Sequence, residues 1–233
     1  MTYELFIGDR TFSSWSLRGW LMFEKFGLPC KTTLVGLYSG TMGNDLASLS
    51  PARLVPVLRT PQGDIIGETL SIAETIAERH PGIDMWPKAP SERARARWLC
   101  AEMVSGFSAL RSQCPMQLQH VNKGFHASEA VKSDLARLQL IWAAAREIAT
   151  HSGPWLFGAY SLADVFFAPV AARIIGYDLR VDDAAQSYCN TVISDPAFTK
   201  WRHAGLQITY DPFPYPADCA CSDWPVPLRI NPS

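Results

Sequence analysis

Little in these 233 residues marks a function by excess. Charge of either sign is sparse and nearly balanced, 21 Lys and Arg against 22 Asp and Glu, for a net −1. Such a chain carries no global field to draw in nucleic acid or an anionic membrane, and neither is expected as a partner. Long apolar runs are missing too; none approaches the roughly 20 residues that span a bilayer. The opening MTYELFIGDR has no basic n-region and is interrupted by Glu4, Asp9 and Arg10. It does not read as a signal peptide, so a cytoplasmic setting is expected. Six cysteines (Cys30, Cys100, Cys114, Cys189, Cys219 and Cys221) are scattered along the chain, and in that setting they read as reduced thiols. Only Cys219 and Cys221 stand close. A C-x-C with no His nearby makes a poor zinc site, and no metal is expected. Internal repeats and low-complexity blocks are absent. With 48% hydrophobic residues there is material for a packed core in one large domain or two small ones.

The chain changes grammar part-way. In residues 1–81 strand and helix signals alternate. YELFIG (3–8) reads as a short apolar strand. SWSLRGWLMFEKFG (14–27) carries Leu17, Trp20, Leu21, Phe23 and Phe26 at helical spacing and stops at Gly27. CKTTLVGL (30–37) is β-branched and strand-like, and TMGNDLASLS (41–50) is a weak helix. LVPVLRT (54–60) and DIIGE (64–68) flank a turn at Pro61-Gln62-Gly63, and TLSIAETIAERH (69–80) is a second clear helix. The order β-α-β-α-β-β-α implies a parallel pair with a crossover helix, then a hairpin. Residues 82–90 read as a linker. Residues 91–210 read as all-helical, with helices over 91–112, 128–153, 161–178 and 193–205 and no strand pattern. The first of these spreads its apolar residues over more than one face, as burial on two sides requires. The proline-rich tail, 211–233, reads as extended. The fold class is thus an α/β domain followed by an all-α domain.

Four stretches carry candidate chemistry. TFSSWSLRGW (11–20) places Ser13, Ser14 and Ser16 around Trp15 where a strand gives way to a helix. Pro56 sits inside the strand-like LVPVL. Proline removes a ladder donor, so the run is either an edge strand or begins with a cis-proline that frees the backbone of Val55. In GETLSIAETIAERHP (67–81), Thr69 is a natural N-cap with Glu68 as electrostatic support. The alternative is functional: N–H groups at that helix start, with the Thr69 hydroxyl, hold a carboxylate while Glu68 holds an amine. In YSLADVFF (160–167), Ser161 and Asp164 form a capping-box pair, with Tyr160 and Val165 as a hydrophobic staple. That pair reads as structural.

Taken in order, the Ser-x-x-x-x-Arg of Ser13 and Arg18, then VPVL, ETLSIAETIAERHP and SLAD resemble the glutathione S-transferase superfamily over roughly residues 3 to 205. SSWSLRGWL is similar to the serine-using branches, such as the zeta and tau classes. The resemblance implies a thioredoxin-like N-terminal domain joined to a helical C-terminal domain, and a homodimer. It implies glutathione as co-substrate. Val55, before a cis-Pro56, would pair with its cysteinyl part, and Glu68 and Thr69 would bind its γ-glutamyl end. Its glycyl end would lie near residues 39–43 and Arg53. Ser13 matches the family's catalytic position and is the expected donor to the sulfur, with Ser14, one residue away, as the expected cap or a second donor. Trp15, Met103, Phe107, Leu110 and Arg111 are candidates for the wall of the second-substrate pocket; each fits a core role as well. Trp15 stands where zeta members often carry cysteine, which argues against a zeta isomerase. No cysteine occurs in residues 11–18, which argues against mixed-disulfide chemistry.

A serine suits the implied reaction. A thiol of pKa about 8.5 is mostly protonated at neutral pH, and the thiolate is the nucleophile. Lowering that pKa by about two units takes roughly 2.7 kcal/mol. One hydrogen bond to the anion, about 1.5–3 kcal/mol, together with a helix dipole supplies it. The expected activity is a glutathione transferase that turns the thiol on a small electrophile. A glutathione-dependent isomerase, a peroxidase and a non-catalytic binding protein are the alternatives.

Overall fold

The computed structural model describes residues 2–208 and 220–225. Its first half runs β1 (Tyr3–Ile7), α1 (Ser14–Glu24), β2 (Cys30–Leu34), α2 (Met42–Asp45), a 3-10 turn (Ala47–Leu49), β3 (Val57–Arg59), β4 (Ile65–Ile66) and α3 (Thr69–Arg79). This is the order the sequence predicts. The sheet order is β2-β1-β3-β4, with β1 and β2 parallel and the other pairs antiparallel. The pleat sends alternate residues to opposite faces. Tyr3, Leu5 and Ile7 join the main core with α1 and α3. Phe6 and Val57 turn the other way, onto Leu46 and Leu49. The Val55–Pro56 peptide is cis. β3 begins at Val57, one residue after the proline, and pairs on both sides. The edge-strand reading of Pro56 is therefore set aside.

The second half runs α4 (Pro90–Ser105), α5 (Ser108–Gln113), β5 (His120–Asn122), α6 (Glu129–Glu147), α7 (Leu162–Gly176), α8 (Asp183–Ser194), α9 (Pro196–Leu206) and β6 (Cys221–Asp223). Three details depart from the expectation. The single helix expected over 91–112 is broken at Gly106-Phe107, where Phe107 takes a left-handed φ of 56°. A Cβ on Gly106 would lie 2.8 Å from the Glu102 carbonyl oxygen, so the break needs a glycine. The strand-free stretch 91–205 contains β5, paired antiparallel with β6. Lastly, α8 lies where no helix was expected, and the helix expected over 193–205 begins only at Pro196, because Asp195 ends α8 and caps a new helix with Pro196 at its first turn.

α7 is the axis of this half. Every residue in it except Ile175 is buried. The capping box forms as expected, with the Ser161 N–H donating to Asp164 at 2.9 Å. Asp164 also accepts from the Leu156 N–H and the Tyr188 hydroxyl, each at 3.1 Å. Burial nonetheless pushes its carboxyl up to about 6. α7 packs on α1, α4 and α8, so the two halves meet along α1.

Candidate active site

Two adjoining cavities lie where α1 meets the helical half. The first, about 530 Å³, is lined by residues 51–56, Ile65, Gly67, Glu68, Thr69, Val104 and the pair Trp15 and Arg111. The second, about 250 Å³, shares Trp15, Leu54, Val55 and Arg111. It adds Phe12, Ser13, Ser14, Leu37, Tyr38, Pro115, Met116 and Arg173.

The floor of the second cavity is the β1–α1 loop. The Asp9 carboxylate accepts from the N–H groups of Thr11 and Phe12, at 2.8 and 3.3 Å, and folds the loop on itself. Ser13, not Ser14, is the N-cap of α1: its Oγ accepts the Ser16 N–H at 3.3 Å. Its own proton goes to Ser16 Oγ at 2.7 Å, and Ser16 Oγ also accepts the Gly8 N–H at 2.9 Å. Ser16 is fully buried and ties the cap to the end of β1. Ser14 is the first helical residue, and its Oγ accepts from Arg173 Nη2 at 3.4 Å.

Three arginines, Arg18, Arg111 and Arg173, gather at this corner, two of them over Trp15. The Arg18 and Arg111 guanidinium groups lie 4.3 and 5.1 Å from its ring centre. Arg18 Nε donates to the Phe166 carbonyl of α7 at 2.8 Å. Burial, followed by the charges of Arg173 and Arg111, holds the Arg18 guanidinium well below its usual range. Arg111 is pinned by the carbonyls of Val104 and Gly106. Arg173 is pinned by those of Cys114 and Pro169.

At the first cavity, α1 approaches the cis turn closely. A Cβ on Gly19 would come within 3.0 Å of the Pro56 ring. Among the described residues, the N–H and C=O of Val55 make no hydrogen bond. Glu68 has a left-handed φ of 61° and gives α3 no side-chain cap. Thr69 is the first helical residue, not the N-cap. Its Oγ1 is buried and has no partner. Such an orphan costs stability unless a ligand satisfies it.

Most of the expected residues converge. Ser13 and Ser14 line the second cavity, Arg53, Val55, Pro56, Glu68 and Thr69 the first, and Trp15 and Arg111 both. Met103, Phe107 and Leu110 do not: Met103 and Leu110 have no exposed surface and Phe107 joins them in the core. The break at Gly106 rotates α5 and presents Arg111 in their place. Arg173 is not among the expected residues, although it and Asp164 are the two charges in an otherwise apolar helix, the sign of a buried task. Four of the protein's own thiols, those of Cys30, Cys100, Cys114 and Cys189, are poor nucleophiles. Burial pushes Cys30 and Cys114 up to about 12, and Cys100 and Cys189 up as well. Cys219 lies outside the described residues. Among the described residues no cluster of His, Cys, Asp or Glu is gathered for a metal, and no helix is long and apolar enough to cross a membrane.

A β2-β1-β3-β4 sheet with a cis-proline before an interior strand, joined to a helical half across a shared cavity, defines a thioredoxin-like domain coupled to a helical one. Glutathione S-transferase N-terminal domains match residues 12–79. A probable maleylacetoacetate isomerase from Caenorhabditis elegans is 28% identical over 196 residues, covering 81% of this chain and 87% of its own. Maleylacetoacetate isomerase from Rattus norvegicus is 28% identical over 131 residues, 55% of this chain and 57% of its own. Among solved structures, a Burkholderia glutathione transferase homologue with bound glutathione superposes with a TM-score of 0.67 at 21% identity, over 89% of this chain and all of that one. A sphingomonad glutathione S-transferase complexed with glutathione gives 0.65 at 20% identity, over 88% and 100%. Over residues 12–79 the chain is similar to the glutathione S-transferase N-terminal domain, and its fold is that of the glutathione transferase structures.

Proposed function

We propose that this protein is a glutathione transferase. The observation that carries the reading is the set of unspent hydrogen-bonding groups around the first cavity: the Val55 backbone, the uncapped start of α3 and the orphaned Thr69 hydroxyl. A tripeptide with an α-amino-acid end satisfies all of them at once. Its carboxylate takes the α3 N–H groups and Thr69, and its amine takes the Glu68 carboxylate. Its middle residue pairs with Val55, and its glycyl end runs toward Arg53. Val55 lines both cavities, so the cysteinyl thiol reaches toward the serines in the second.

In the reaction, the thiol proton passes to water and a serine hydroxyl donates to the thiolate. A carbon–sulfur bond to the electrophile then forms as its leaving group departs with the electron pair. Ser13 and Ser14 are the candidate donors. Trp15 and Arg111 line the acceptor's approach. The same reading includes a homodimer and a cytoplasmic, detoxifying setting, both carried by the superfamily and neither by the geometry.

Glutathione-immobilised resin should retain the protein. Bound glutathione should display thiolate ultraviolet absorbance at a pH where free glutathione displays little. No retention would sink the proposal; retention without a lowered thiol pKa would leave a binding protein. A second reading, glutathione-dependent isomerase, is favoured by the names of the 28%-identical relatives. An aryl halide, a hydroperoxide and a cis-trans isomerisable diacid, assayed side by side, separate these activities.

A further inference from the structure

We infer that Ser14, set by Arg173, is the hydroxyl that holds the thiolate, and that Ser13 is the structural cap. This rests on the proposal that glutathione is the co-substrate. A serine hydroxyl has one proton. That of Ser13 is committed to Ser16 Oγ at 2.7 Å, inside a buried network that also engages the Gly8 N–H. Turning it toward the cavity breaks that network. Ser14 is in the opposite position. Its oxygen receives the Arg173 N–H at 3.4 Å, which fixes the oxygen as acceptor and turns its proton away from the guanidinium. Ser14 lines the second cavity, so that is where the proton is available. A charged donor on the oxygen also makes the hydroxyl a stronger donor in turn.

Arg173 acts through Ser14 and is a positioning residue. It is 5% exposed and clamped by the carbonyls of Cys114, at 2.9 Å, and Pro169, at 3.1 Å. The other charges at this corner are the Arg18 and Arg111 guanidinium groups, which also favour an anion. The Asp9 carboxylate is turned onto the N–H groups of its own loop. The N–H groups of Ser14 and Trp15 make no hydrogen bond among the described residues and add the positive end of α1.

The test is the thiol pKa of bound glutathione, read from thiolate absorbance against pH, with affinity from calorimetry and folding from circular dichroism. Ser14→Ala should raise that pKa by about one to two units, the loss of one hydrogen bond to an anion, with affinity changed less than about threefold. Ser13→Ala should lower the melting temperature and move the pKa by less than about half a unit. Arg173→Met should raise the pKa, adding nothing when combined with Ser14→Ala, the mark of one shared interaction. Arg173→Lys should restore part of the shift, which a purely structural role would not produce. A bound-thiol pKa that rises in Ser13→Ala and stays put in Ser14→Ala overturns this assignment alone. Wild type that binds no glutathione overturns the parent reading with it.

Discussion

Thr69 keeps a hydroxyl where the fold has no use for one. Its Oγ1 is buried and unpartnered, so replacing it by an isosteric methyl removes an unsatisfied group without opening a cavity. Thr69→Val should leave unfolding free energy unchanged or raise it by up to about 1 kcal/mol. It should weaken glutathione about tenfold, as one charge-assisted hydrogen bond is lost. Denaturant titration and calorimetry on the same variant check the two halves, and a loss of both stability and affinity would refute the ligand role. This residue was legible in the sequence because Glu68-Thr69 falls where a strand pattern hands over to a helix. The serines were legible as a cluster, but their division of labour was not. Which hydroxyl caps α1 and which meets Arg173 depends on a partner 159 positions away. Met103, Phe107 and Leu110 read equally as cavity wall or core, for a related reason. Periodicity tells which residues leave the solvent, not whether they face a cavity or a core.

At the scale of elements, α7 carries the sharpest electrostatic consequence. Asp164 holds the capping box together from a fully buried position, and its carboxyl is raised from 3.8 to about 6. A raised pKa means that the folded chain binds this proton more tightly than the unfolded one. The associated stability is complete below about pH 4 and is lost as pH climbs toward 6. About two units correspond to roughly 3 kcal/mol. The advantage of wild type over Asp164→Asn should therefore shrink from pH 4 to pH 7 by an amount of that order. Urea unfolding of the pair across this range checks the sign; an advantage that grows with pH would contradict it. The capping box was readable from Ser161-x-x-Asp164 alone because its chemistry is local. β5 was not, since three residues carry no periodicity and its partner β6 lies about a hundred residues on. The α4–α5 break was hidden by good helix formers on both sides of Gly106.

The two halves share one core. A single buried cluster runs from Leu5 and Leu17 through Met103 and Phe166 to Trp201. Hydrogen bonds cross the seam as well: Arg18 to the Phe166 carbonyl, Thr11 to the Gly205 carbonyl, and the Trp201 indole to the Arg10 carbonyl. Heat should therefore melt the molecule in one step. Far-ultraviolet and near-ultraviolet circular dichroism should give coincident transitions. Two separated midpoints would mean that the halves are independent. The change of grammar near residue 82 reads as two architectures, yet it is silent on how tightly they are joined, because α1 and α7 meet only in space.

The Ser14–Arg173 contact has a consequence for inheritance. A chimera spliced between residues 82 and 90 would take its hydroxyl from one parent and its guanidinium from the other. Recombination at the linker looks safe on the sequence, yet it would pass on both architectures intact and divide a contact that bridges them at the site.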